Sequence, residues 1–158
     1  MSYAAGDDGD LQKGVEWPSP RFVDNGNGTV LDNLTGLVWL KHATPFGGSR
    51  TWATALVDCN TLNSGEQLLS DGSVEGDWRL PNRLELETLL DFSKYEPPNF
   101  PFIVVQNHVY WTSTTVATHP DRAWSIDMSD GNVGGGIVWD IKSKTDDTIF
   151  VWPVRDRK

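Results

Sequence analysis

A change of hydrophobic period along the chain does most to narrow its fold. Arg21-Phe22-Val23 and Thr29-Val30-Leu31 flank Asn25-Gly26-Asn27-Gly28, residue types that accept the positive φ of a tight hairpin. Thr35-Gly36 supplies the next turn, and Leu37–Leu40 is the short apolar run of a strand buried on both faces. The period then becomes helical. Trp52, Ala55, Leu56, Cys59 and Leu62 fall on one face of a helix that starts at a Thr51 cap. A loop holding Gly65, Asp71, Gly72 and Gly76 leads to a short extended piece, Asp77–Leu80, stopped by Pro81. Asn82 with Glu85 three residues on reads as a capping box, and Leu86, Leu89 and Leu90 give this second helix its apolar side.

Pro97, Pro98 and Pro101 break the pattern, after which the period returns to two. Val109-Tyr110-Trp111 is aromatic and β-branched. Trp124, Ile126 and Met128 alternate with Ser125 and Asp127, and Ile137, Trp139 and Ile141 alternate again after an Asp130-Gly131 turn. On this pattern Trp124 and Trp139 point inward, while Ser125, Asp127 and Asp140 point outward. Ile149–Trp152 makes a last strand, ended by Pro153. Strands, two helices, then strands predict an α+β domain with antiparallel sheets.

Residues 1–20, acidic and small until Trp17-Pro18-Ser19-Pro20, read as an extended leader to a single domain over 21–158. A chain of 158 residues is long enough to bury one self-sufficient core. Its 22 acidic and 13 basic side chains leave a net charge of −9, which opposes nucleic-acid binding driven by bulk electrostatics. No apolar run approaches the roughly 18 residues of a membrane helix, so membrane insertion is not expected. Met1–Asp10 has no basic and then apolar signal pattern, so the chain is either cytoplasmic or an exported protein whose signal has been removed.

Catalytic and metal chemistry find little support. Cys59 is the one cysteine, which excludes an intrachain disulfide and a multi-cysteine zinc site. It falls on the apolar stripe of the first helix, where a thiol is a small core residue. His42, His108 and His119 are widely spaced. Asp24-Asn25-Gly26-Asn27-Gly28 opens like a calcium loop but has Gly at the fifth position and Thr35 at the twelfth, so the hairpin reading is preferred. Glu96-Pro97-Pro98-Asn99 carries an extra proline relative to the Glu-Pro-Asn of mannose-type lectins. Gly134-Gly135-Gly136 has no helix behind it to cradle phosphate, and Asp146-Asp147 lies in a polar loop. No enzyme, cofactor or metal centre is expected.

Five blocks in fixed order carry a resemblance: Phe22–Val30, Asp32–Leu40, Asp77–Asn82, Tyr110–Thr115 and Val151–Arg155. The chain resembles the bacterial family represented by the C-terminal domain of the Legionella collagen-like adhesin, from about residue 9 to residue 155. The resemblance implies a C-type-lectin-like fold in which the two chain ends pair and a long loop region carries binding. It also implies export or surface anchoring, kinship with formylglycine-generating enzymes through Trp78–Pro81, and the trimerisation and sulfated-glycan binding of the adhesin's domain. Formylglycine chemistry needs paired cysteines, which Cys59 alone cannot supply.

The expectation is therefore a non-enzymatic adhesin or binding domain of an extracellular or cell-surface protein. Its partner would be a glycan or a host or cell-surface protein, and a homotrimer is an option. Aromatic residues interleaved with short polar ones suit such recognition. The expected ligand-binding residues lie on the strand and loop face between 111 and 140: His119, Arg122, Ser125, Asp127, Asp130, Asn132 and Asp140. The alternative is a structural or oligomerisation module that uses the same face as an interface.

Overall fold

The computed structural model describes residues 4–91, 98, 100–128 and 139–158, and of Asp8 and Trp139 the backbone only. The elements run α1 (Asp8–Leu11), β1 (Phe22–Asp24), β2 (Thr29–Asp32), β3 (Val38–Leu40), α2 (Trp52–Asn60), α3 (Arg83–Thr88), β4 (Val109–Val116), β5 (His119–Asp127), β6 (Trp139–Ser143) and β7 (Val154–Arg155). The α+β class read from the sequence holds. α1 is a single helical turn within the leader.

The opening hairpin forms where Asn and Gly permit it. Asn25 N donates to Thr29 O at 3.0 Å, and Gly26 and Gly28 sit at φ of 73° and 85°. Gly28 is required twice over, because a Cβ there would lie 2.4 Å from the Leu68 carbonyl oxygen. α2 and α3 start at the predicted caps. Thr51 Oγ1 accepts from Thr54 N, and Asn82 and Glu85 complete a reciprocal box: Glu85 N to Asn82 Oδ1 at 3.0 Å and Asn82 N to Glu85 Oε2 at 2.8 Å.

Two antiparallel sheets result, with strand orders β1-β2-β3-β7 and β4-β5-β6. The first and last strands share a sheet but do not pair. β7 pairs with β3, so β1 and β7 stand on opposite sides of the β2-β3 pair, a correction to the end-to-end pairing that the resemblance implies. The segment 149–155 ties the sheets together. Trp111 N donates to Phe150 O at 2.9 Å on the β4 side, and four residues on Val154 bridges both Trp39 and Arg79. Regular pairing falls at Val154–Arg155, just beyond the Ile149–Trp152 run that the sequence marks as a strand.

The three-stranded sheet is covered on both faces. Tyr110, Ile126 and Met128 pack with Leu86, Leu89 and Leu90 of the α3 region and with Trp39 and Trp152 of the other sheet. Across the sheet, Trp111 and Ala123 pack with Ala55 and Cys59 of α2 and with Leu80, Ile149 and Val151. A third group, Val38, Leu40, Leu62, Leu69 and Trp78, lies between the first sheet and the 61–77 loop. Buried rings keep their polar ends bonded: Trp111 Nε1 donates to Arg50 O at 2.8 Å and Trp152 Nε1 to Leu40 O at 2.9 Å. Trp17, which the sequence leaves without a place, lies 4.2 Å from the Arg21 guanidinium. Arg21 in turn forms a buried bidentate pair with Asp32 and donates to Thr88 O, fastening the leader to α3.

Candidate recognition site

The register of the three-stranded sheet decides which side chains can act together. Ser125 pairs with Trp111 on one side and Asp140 on the other, so Ala123, Ser125, Asp127 and Asp140 share the face that α2 partly covers. Arg122, Trp124 and Ile126 share the opposite face. The expected single recognition face is therefore divided by the period-two alternation itself.

Ser125 is a correction: it is fully buried, donating to Asp140 O at 3.2 Å, because a central strand with helices on both faces has no outward row at its middle. Trp124, expected in the core, is only partly buried, with the Arg83 guanidinium 4.5 Å from its ring. Asp140 is half-exposed and committed to Lys142 at 2.7 Å and to Ile141 N at 2.7 Å. The carboxylates of Asp140, Asp146 and Asp127 together push the Lys142 ammonium up from its ordinary value. Asp127 is partly buried. Asp130 and Asn132 lie outside the described residues, as does the Gly134–Gly136 run.

His119 and Arg122 lie toward the other end of β5, where His119 and Asp127 are separated by about 26 Å of extended strand. This end is built from three connections. The β4-β5 hairpin turns between Val116 and His119, after register shifts near Thr115. The turn after β6 bonds to it through Lys144 N and Asp121 O at 3.0 Å, and α2 begins there with Trp52 N donating to Lys144 O at 3.1 Å. Lys144 Nζ stands 3.9 Å over the Trp52 ring and donates to Thr115 Oγ1 at 2.9 Å. Trp52 Nε1 donates to Thr112 O at 2.8 Å, so the ring is fixed from both sides. His119 is exposed, with Nδ1 3.0 Å from Thr118 Oγ1.

Many cations elsewhere are matched internally: Lys41 with Asp24 at 2.6 Å, Arg50 with Asp58 at 2.7 Å, Arg79 with Glu85 at 2.6 Å, Arg155 with Asp71 at 3.1 Å and Lys158 with Asp77 at 2.5 Å. Lys144 has no carboxylate at ion-pair distance among the described residues. Arg122, 49% exposed, has Asp121 only at the 4.0 Å limit. Lys144, Trp52 and Thr115 were not readable as site residues. They are far apart in sequence, and only the docking of α2 against the turn after β6 joins them.

Other candidate chemistry is spoken for. The Asp24 carboxylate, first of the calcium-like run, takes Lys41 Nζ and Gly26 N, and the Lys41 contact holds it below the ordinary carboxylate value. Burial pushes the Cys59 thiol far up, which makes it a poor nucleophile. Among the described residues, no group of three or more His, Cys, Asp or Glu side chains is arranged to hold a metal ion.

The comparisons with known proteins agree with the ordered blocks. The family model of the Lcl C-terminal domain matches residues 28–155. Neither a curated protein nor a solved structure matches the chain significantly. A match over most of the sequence, running from β2 to β7 and including α2, α3 and the three-stranded sheet, makes this chain a member of the Lcl C-terminal domain family.

Proposed function

We propose that this chain is a non-enzymatic recognition domain of a bacterial surface-type protein, and that it engages an acidic glycan or an acidic protein segment at the Arg122–Lys144 end of its second sheet. The observation that carries the reading is charge placement. In a chain of net charge −9, Lys144 stands over a fixed indole with no carboxylate at ion-pair distance among the described residues. At the same end of the sheet, on its other face, Arg122 has Asp121 at 4.0 Å and exposed Thr118 and His119 on its strand end. A ligand anion supplies the pairing that the fold withholds, and Trp52 and His119 add ring surface. His119 and Arg122 remain from the expected set, Lys144 and Thr115 join it, and buried Ser125 leaves it.

The same reading takes the fold as C-type-lectin-like, supported by two helices, two antiparallel sheets and first and last strands held in one sheet. It places the domain outside the cell, with no resident cofactor and no catalysis. No described helix is long and apolar enough to cross a membrane. A glycan array with acidic and neutral members tests the site. Acidic ligands are expected to bind, and binding is expected to fall at least tenfold in Arg122→Ala/Lys144→Ala; equal retention by neutral sugars, or no binding by the intact protein, sinks it.

One observation favours an assembly module, though through α2 and not through the 111–140 face considered from the sequence. The outer face of α2, Ala53, Thr54, Val57 and Asn60, carries no charge, and Val57 is 59% exposed. Light scattering separates the readings, because an assembly module oligomerises through this face and a Val57→Glu substitution then returns it to monomer.

A further inference from the structure

Two Asn-Gly pairs stand in tandem in the first hairpin, and the fold treats them differently. Asparagine followed by glycine is the least stable amide in proteins, since no side chain hinders the following nitrogen. In Asn25-Gly26, the Gly26 N–H donates to Asp24 Oδ1 at 2.9 Å. Cyclisation passes through a deprotonated amide nitrogen, which a neighbouring carboxylate disfavours, and Asp24, ion-paired to Lys41, is a weak base. Asn25 Nδ2 is also held on Thr29 Oγ1 at 2.8 Å.

Asn27-Gly28 is the opposite case. Asn27 Oδ1 accepts two bonds, from Thr29 Oγ1 at 2.7 Å and Thr29 N at 3.2 Å. These donors polarise the side-chain carbonyl and face the oxygen on which negative charge develops when its carbon is attacked. The Asn25 amide, by donating to the same hydroxyl, strengthens the donation onward. Gly28 cannot be exchanged for a slower residue, because a Cβ would meet Leu68 O at 2.4 Å. The close approach that positions the 61–77 loop therefore keeps the labile pair in place.

We infer that Asn27 is a self-modification site at which the folded domain deamidates in preference to Asn25. Gly28 N loses its proton and bonds to Asn27 Cγ, the Cγ–Nδ2 bond breaks and ammonia leaves. Water then opens the succinimide to aspartate or isoaspartate. The isoaspartate product lengthens the backbone where Asn27 O accepts from Ser70 N at 2.9 Å, so conversion loosens the hairpin from the loop.

Peptide mapping of the full chain, aged in mildly alkaline buffer with and without denaturant, tests this. Asn27 is expected to convert several-fold faster than Asn25 when folded, and at a similar rate when unfolded. Thr29→Val is expected to abolish the folded preference, and Thr29→Ser to keep it. Faster or equal conversion at Asn25 in the folded chain overturns the assignment, as does a preference for Asn27 that persists unchanged in denaturant. The wild-type comparison stands even if Thr29→Val fails to fold.

Discussion

Single residues in this domain combine two jobs, filling space and satisfying buried polar groups. Trp152 shows both: it meets Trp39, Phe102 and Tyr110 at ring separations of 6.0, 4.9 and 5.7 Å, and its Nε1 bonds Leu40 O. Truncation by Trp152→Ala is expected to cost about 3–5 kcal/mol in chemical denaturation. Asp32 is wholly buried and holds Arg21, Leu34 N and Thr35 Oγ1, so Asp32→Ala is expected to cost a similar ~3–5 kcal/mol by stranding the guanidinium. His42 gives a pH dependence. Its ring is partly buried and accepts from Thr44 N at 3.3 Å, and burial pushes its pKa down. The folded state thus binds fewer protons than the unfolded one between the lowered value and about 6.5. Stability is expected to be level above that point and to decline as pH falls through the lowered value, a slope that His42→Gln removes.

At the scale of elements, the sequence was most legible where local chemistry decides. The Asn25–Gly28 turn, the Thr51 cap and the Asn82–Glu85 box all depend on residues within four positions of one another, and each forms as read. Asn82→Ala is expected to cost about 1 kcal/mol and to fray α3, seen as lower protection of the Leu86 amide in hydrogen exchange. Faces were legible only in part. Alternation in β5 correctly separated Ile126 and Met128 from Asp127, but it could not show that α2 covers the other side and buries Ser125. Nor could it show that Trp124 lies under the Arg83 guanidinium of α3, which leaves its ring only partly buried. Strand period reports which residues share a face; whether that face meets a helix or solvent is a tertiary fact.

For the whole molecule, the arrangement is a two-sheet core closed by segment 149–155, with ion pairs holding most of its positive charge internally. The candidate site arises at this scale. Trp52, Thr115, Arg122 and Lys144 come from four segments, and no spacing rule joins them. We propose that this end supplies anion recognition to a member of the Lcl C-terminal domain family. Titration calorimetry of the folded protein with a sulfated or carboxylated oligosaccharide, beside its neutral counterpart, is the decisive experiment. Measurable, salt-sensitive binding of the acidic ligand is expected, lost in Arg122→Ala/Lys144→Ala while that variant stays folded with a modestly lowered thermal midpoint. Undiminished binding by that folded double variant would contradict the proposal.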